Sequence, residues 1–221
     1  MADKKRYYLR KDEKLRAINI ILDSYPDARA ELNYSNPFEL LIATILSAQC
    51  TDVRVNIVTE GLFKKYKRPE DYFKVDVKEL EQDIKTCGLY KSKAKNIKLC
   101  SQQLVEEFSS EVPKDLEDLQ KLAGVGRKTA NVVVSNAFGT PAIAVDTHVF
   151  RVANRIGLAK AKDVLETERQ LQRAIPRDKW TRAHHALIFH GRRVCKARKP
   201  DCELCPVNEL CIYYNKGIKK L

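Results

Sequence analysis

The chemistry of this chain starts at Lys128, a primary amine set just behind the turn Gly124-Val125-Gly126-Arg127. Glycine accepts backbone angles that other residues resist, so Gly-Val-Gly reads as a tight turn between two helices. N–H groups at the start of the second helix, with the positive end of its dipole, form an anion site whose natural occupant is a nucleic-acid phosphate. An amine beside that phosphate is either a counter-ion or, when unprotonated, a nucleophile that attacks a sugar carbon and forms a Schiff base. A Gly-x-Gly turn alone most often only closes a helical hairpin. Here the stretch from Asp115 to Leu122 reads as a capped amphipathic helix with Leu116, Leu119 and Leu122 on one face, not as the strand that a dinucleotide or P-loop turn requires. Helix-hairpin-helix is the label that fits.

Eighteen residues after Lys128 comes Asp146, between the apolar run Pro141–Val145 and Thr147-His148-Val149-Phe150. By type and place it is a helix N-cap. A carboxylate fixed at a helix start is also a well-oriented charge, so capping and catalysis are compatible. His148 reads as a structural, hydrogen-bonding residue.

Cys195, Cys202, Cys205 and Cys211 crowd the C-terminus as C-x6-C-x2-C-x5-C, out of seven cysteines in all. An odd total and the lack of an apolar signal region after residues 1–6 argue against disulfides and for metal binding. Four thiolates suit tetrahedral zinc or a 4Fe-4S cluster. The spacing lacks the paired C-x2-C knuckles of common zinc ribbons, which favours iron–sulfur. Cys50, Cys87 and Cys100 read as small core residues in helical surroundings.

The elements that must position these groups are helices. Asn36-Pro37 opens one with Leu40, Leu41, Thr44, Ile45 and Ala48 on a single face. Asp76 caps Val77 to Thr86, Ser92 to Phe108 is periodic in Ala94, Ile97, Leu104 and Val105, and Lys128 to Phe138 carries Val133, Val134 and Ala137. Gly88, Gly139 and Gly157 read as C-terminal stops. No run alternates as a strand does, so the expected class is all-α.

Forty-one basic against twenty-nine acidic side chains leave a net charge of +12, which favours a polyanionic partner. Arg192, Arg193, Lys196, Arg198 and Lys199 surround the first terminal cysteine, so the Cys195–Cys202 loop reads as a cationic finger that grips phosphates without reading sequence. No apolar run approaches the roughly 20 residues of a membrane span. A cytoplasmic, DNA-associated protein with no membrane contact is expected.

In Gly124-Val-Gly-Arg-Lys-Thr-Ala-Asn131, Val145-Asp-Thr-His148 and the terminal cysteine quartet, in that order, the chain resembles the endonuclease III family of base-excision DNA glycosylases over nearly its full length. The resemblance implies a bifunctional enzyme with a structural 4Fe-4S cluster on Cys195, Cys202, Cys205 and Cys211. It would excise oxidised pyrimidines from double-stranded DNA, act at abasic sites, and nick the strand by β-elimination. It makes Lys128 the Schiff-base nucleophile and Asp146 its acidic partner. Gly124, Val125, Gly126 and Arg127 would hold DNA together with Lys196, Arg198 and Lys199. Gln49 looks like the side chain that fills the gap left by an extruded nucleotide, and Leu89 like the wedge on the opposite strand. From the residues alone, Gln49 could equally be a polar residue at a helix end and Leu89 a core leucine. Ala123 departs from the proline this hairpin often has, which removes no donor. The resemblance also implies a monomer of two helical domains flanking a cleft: a six-helix domain at 30–140, and a second built from 1–29 plus 141–221 that carries the cluster. Lys128 and Asp146 would face each other across that cleft. Two other classes stay open: a non-enzymatic helix-hairpin-helix DNA-binding protein with a structural metal site, and an iron–sulfur electron carrier, which leaves the basic surface unexplained.

Overall fold

The computed structural model describes residues 8–217, so the basic opening stretch and the last residues of the expected second domain lie outside the described residues. Among the described residues the regular elements are helices and none is a strand. In chain order they are α1 (Lys11–Ser24), α2 (Pro37–Leu46), α3 (Asp52–Lys65), α4 (Pro69–Lys74), α5 (Val77–Asp83), α6 (Tyr90–Glu107), α7 (Leu116–Lys121), α8 (Arg127–Ala137), α9 (Thr147–Ile156), α10 (Val164–Ala174), α11 (Trp180–Arg193) and α12 (Ile212–Asn215), with 3-10 turns at Arg177–Lys179 and Cys202–Leu204. No helix among them is long and apolar enough to cross a membrane.

The chain divides into two compact units, Glu31–Thr140 and Met1–Ala30 with Pro141–Leu221. In the first, α2 is the central element. The Asn36 side chain accepts the Glu39 amide at 2.9 Å, and Pro37 occupies the first turn where its missing N–H costs nothing. Every residue from Leu40 to Leu46 is buried, because α3, α6 and α8 all pack against this helix. The expected single apolar face is therefore an all-round one, and the helix stops at Leu46, leaving Ala48 exposed beyond it. Each fully buried Leu or Ile here contributes about 1.5–3 kcal/mol of transfer free energy.

This unit carries seven α-helices among its described residues, not six, since Arg68-Pro69 and Asp76 each start a short helix, α4 and α5, that packs on α6. Asp76 accepts the Lys78 amide at 2.7 Å, as its type suggests, yet α5 ends at Asp83, short of Thr86. Beyond it the chain turns, Cys87 N–H donating to Ile84 O at 2.9 Å, and so delivers Gly88 to its neighbour. Gly88 is no helix stop. A Cβ on it would stand 3.1 Å from the Gln49 carbonyl oxygen, so glycine here permits two loops to touch. Gly139 and Gly157 do follow α8 and α9 in left-handed backbone.

The second unit packs α9 against α10, α11 and α12, and α1 against α10 and α11. Its core includes Ile18, Ile21, Val149, Val152, Ile156 and Leu187.

Candidate functional site

The hairpin is built as its residues dictate. Asp115 caps α7, accepting the amides of Glu117 at 2.7 Å and Asp118 at 3.3 Å, and Leu119 and Leu122 bury their side chains. The turn then closes with Val125 N–H donating to Leu122 O at 3.1 Å, while Ala123 N–H donates to the Gln103 side chain at 2.8 Å. The two glycines do different work. Gly124 has φ +76° and a Cβ there would meet Asn96 Cβ at 2.9 Å, so glycine is required twice over. Gly126 is extended at φ −84° and faces open space, so it needs no special angle. Bareness is what it offers: α8 starts with no side-chain cap, and a bulky anion has room to approach its first turn.

Gly124, Gly126, Arg127 and Lys128 are exposed, with Lys128 as the second residue of α8. Val125 is 5% exposed and points into the core, so it reaches a ligand through its backbone alone.

In the other unit Asp146 is the N-cap of α9. Its Oδ1 accepts the Val149 amide at 2.8 Å, and its Oδ2 takes no hydrogen bond from any described residue. Cap and charge thus coexist on one half-buried carboxylate. His148 has the structural place expected of it: its Nδ1 lies 3.2 Å from Arg151 Nη2, and its Cβ packs where Gly191 of α11 leaves room.

Gln49 and Leu89 lie in neighbouring loops, joined by the Gly88 contact. Both are exposed, Leu89 by 57%, which rules out a core role for it. Both also hold left-handed backbone, Gln49 at φ 54° and Leu89 at φ 57°. That conformation costs a non-glycine residue about 1–2 kcal/mol, and such strain collects where a side chain must be presented. Gln49 sits three residues past the end of α2, in a turn. Cys50 beside it is half-exposed in that same turn, unlike the fully buried Cys87 and Cys100, so the core reading fails for Cys50.

The terminal cysteines all line one small cavity, together with Arg155, Ile156, His190 and Val194. None is in a disulfide. Burial, reinforced by the Cys211, Cys195 and Cys202 thiols around it, pushes the Cys205 thiol up to about 11. Burial raises the Cys211 thiol too, and buried thiols of this kind ionise readily only beside a compensating cation, which is the donor chemistry of a metal centre. Among the described residues no three Cys, His, Asp or Glu side chains converge closely enough to hold a single ion. The four cysteines share one lining without converging on a single point, a donor set that fits a polynuclear iron–sulfur cluster better than one tetrahedral zinc.

Sequence reasoning missed the residues that brace this cavity. Arg155 donates to Cys195 Sγ at 3.7 Å and to the carbonyls of Lys196 at 2.7 Å and Ala197 at 2.9 Å. Arg151 donates to Cys195 O at 3.1 Å. His190 Nε2 stands 3.5 Å from Cys205 Sγ, and its Nδ1 lies 3.1 Å from the Tyr25 hydroxyl. Burial pushes His190 down to about 4, so the ring is neutral at physiological pH. The i, i+4 spacing of Arg151 and Arg155 was a legible signal of a shared face. Tyr25 and His190, 165 residues apart, left none. In the cationic loop Lys196 is committed to Asp201 at 2.9 Å and Arg193 stacks on Phe189 at 4.3 Å, whereas Arg198 and Lys199 are exposed.

Residues 42–177 match the HhH-GPD superfamily of base excision DNA repair proteins, and residues 195–211 match the iron–sulfur binding domain of endonuclease III. Endonuclease III of Bacillus subtilis (strain 168) is 57% identical over 199 residues, covering 90% of this chain and 91% of that protein. Endonuclease III of Escherichia coli (strain K12) is 46% identical over 208 residues, covering 94% and 99%. Among solved structures, a trapped endonuclease III–DNA covalent intermediate superposes with a TM-score of 0.92 at 51% identity, covering 96% of this chain and all (100%) of that one. A thermostable thymine-DNA glycosylase gives 0.84 at 28% identity, covering 93% and 98%.

Proposed function

The chain belongs to the endonuclease III family, and from that premise we propose that Lys128 and Asp146 carry its chemistry on oxidised pyrimidines in duplex DNA. It is a DNA N-glycosylase and abasic-site lyase of base excision repair, with a 4Fe-4S cluster, and it binds DNA. The cluster supplies a rigid, thiolate-bound core for the terminal loop, and Cys195, Cys202, Cys205 and Cys211 are the residues that would hold it.

The observation that carries the proposed roles is the place of Lys128, an exposed residue at the start of α8, directly behind the uncapped Gly126. A phosphate received at that helix start brings a sugar to the amine. Chemistry on a base first requires its extrusion from the stack, and Gln49 and Leu89 are the side chains that would occupy the vacated space. The Lys128 amine then attacks C1′ as the damaged base departs. Positive charge develops on the sugar, and the Asp146 carboxylate, oriented by its cap bond, stabilises it and manages the amine proton. The C1′–O4′ bond then opens, O4′ taking up the proton released from the amine, to leave a Schiff base; this acidifies the C2′ hydrogen, whose loss expels the 3′ phosphate by β-elimination. A free lysine titrates near 10.4, so the amine must be released from its proton before attack. Borohydride reduction tests the assignment: wild type should be trapped covalently on damaged duplex DNA and Lys128→Ala should not. An undiminished adduct with Lys128→Ala would overturn it.

The two compact units are taken as the domains of this enzyme, acting as a monomer. A single species of about the chain mass in sedimentation, unchanged over a tenfold concentration range, is the expected result.

A further inference from the structure

Lys93, on the first turns of α6, is an unusual residue. Its side chain is 4% exposed, and among the described residues no carboxylate pairs with it. Its Nζ donates instead to the carbonyl oxygen of Leu46 at 2.8 Å. That oxygen closes α2 and would ordinarily take the Cys50 amide, but Cys50 N–H donates to Ser47 O at 3.1 Å because the chain has already turned towards Gln49. The lysine therefore supplies the donor that the turn withdrew. The same residue stands one turn into α6 from Leu89, its N–H donating to Leu89 O at 3.0 Å as the helix's first regular bond.

We infer that Lys93 is a positioning residue for base extrusion, its side chain holding the end of α2 from which the Gln49 turn departs, one helical turn from Leu89. The inference rests on the reading of Gln49 and Leu89 as the residues that fill the opened duplex. Two features make the tie specific. Both loops carry left-handed backbone at the presented residue, which persists only when the surroundings over-determine it. Burying an ammonium is costly, and burial does lower the Lys93 pKa, an expense with no return in packing alone. A buried apolar side chain would fill the space, but it would leave Leu46 O unsatisfied and the Gln49 turn untethered.

A double-mutant cycle on single-turnover excision from duplex DNA tests this, with Lys93→Met, Gln49→Ala and the pair. Each single change is expected to slow excision roughly tenfold, and the pair little more than either alone, because Lys93 acts through the loop that Gln49 occupies. Effects that multiply in the pair would show a general packing role and overturn the inference. So would a wild-type rate for Lys93→Met. Should Gln49→Ala itself excise at the wild-type rate, the gap-filling reading fails first and Lys93 has nothing to position. Lys93→Gln, which keeps a shorter donor, replaces Lys93→Met in the cycle if the latter does not fold. Thermal unfolding and the visible absorbance of the cluster report whether each variant is intact.

Discussion

Asp146 and Val149 are joined by a 2.8 Å bond from the valine amide to Oδ1 of the carboxylate, so one side chain both starts α9 and carries a negative charge. Asparagine retains the acceptor and drops the charge. Asp146→Asn is expected to keep the thermal stability of the wild type while excision slows roughly 100-fold. Asp146→Ala should lose about 1 kcal/mol of stability as well. Single-turnover kinetics beside thermal melts check both; near-normal excision by Asp146→Asn would remove the catalytic role.

The hairpin glycines should respond in opposite ways. Gly124→Ala forces a left-handed alanine against Asn96 and is expected to cost about 1–3 kcal/mol of stability. Gly126→Ala meets open space at an ordinary angle and should melt as the wild type does, yet bind duplex DNA more weakly. Denaturant titration and filter binding separate the two effects.

Leu89 sets stability against activity. Glycine accepts its φ of 57° without strain, and the exposed side chain contributes little burial. Leu89→Gly is expected to hold or raise the melting temperature, by up to about 1 kcal/mol in stability. Excision should nonetheless fall roughly tenfold for want of a wedge. A variant that excises normally would return Leu89 to the status of an ordinary surface residue.

Salt dependence distinguishes the cations of the cysteine loop. Removing a lysine or arginine that contacts phosphate lowers the slope of log affinity against log salt by about 0.9. Arg198→Ala and Lys199→Ala should each show that loss. Lys196→Ala should show less, since its ammonium is already held by Asp201. Equal slopes for the three variants would disprove the division.

Stripping the cluster by oxidation is expected to bleach the visible absorbance, open residues 195–211 to proteolysis and weaken DNA binding. Zinc analysis supplies the control: a colourless purified protein with stoichiometric zinc would contradict the iron–sulfur assignment.

Much of this was legible in the residues because local chemistry decides it. Asp115, Asp146 and Asn36 cap helices as their types and neighbours suggest, and the cysteine spacing alone announces a metal centre. What escaped was tertiary. The all-round burial of α2 comes from three packing partners at once, which no single periodicity encodes. Gly88 looked like a helix stop, since nothing local reveals that Gln49 O presses against it. Nothing in the sequence around Lys93, one of several lysines in α6, marks it as buried, because its acceptor lies 47 residues upstream.

Arg151 and Arg155 grip the carbonyls of the cysteine loop from the same short helix that Asp146 begins. A cluster held by that loop would therefore lie at the opposite end of the helix from the acid. Loss of that cluster would slacken the partners of Arg151 and Arg155 first, and reach the carboxylate only through the helix they share.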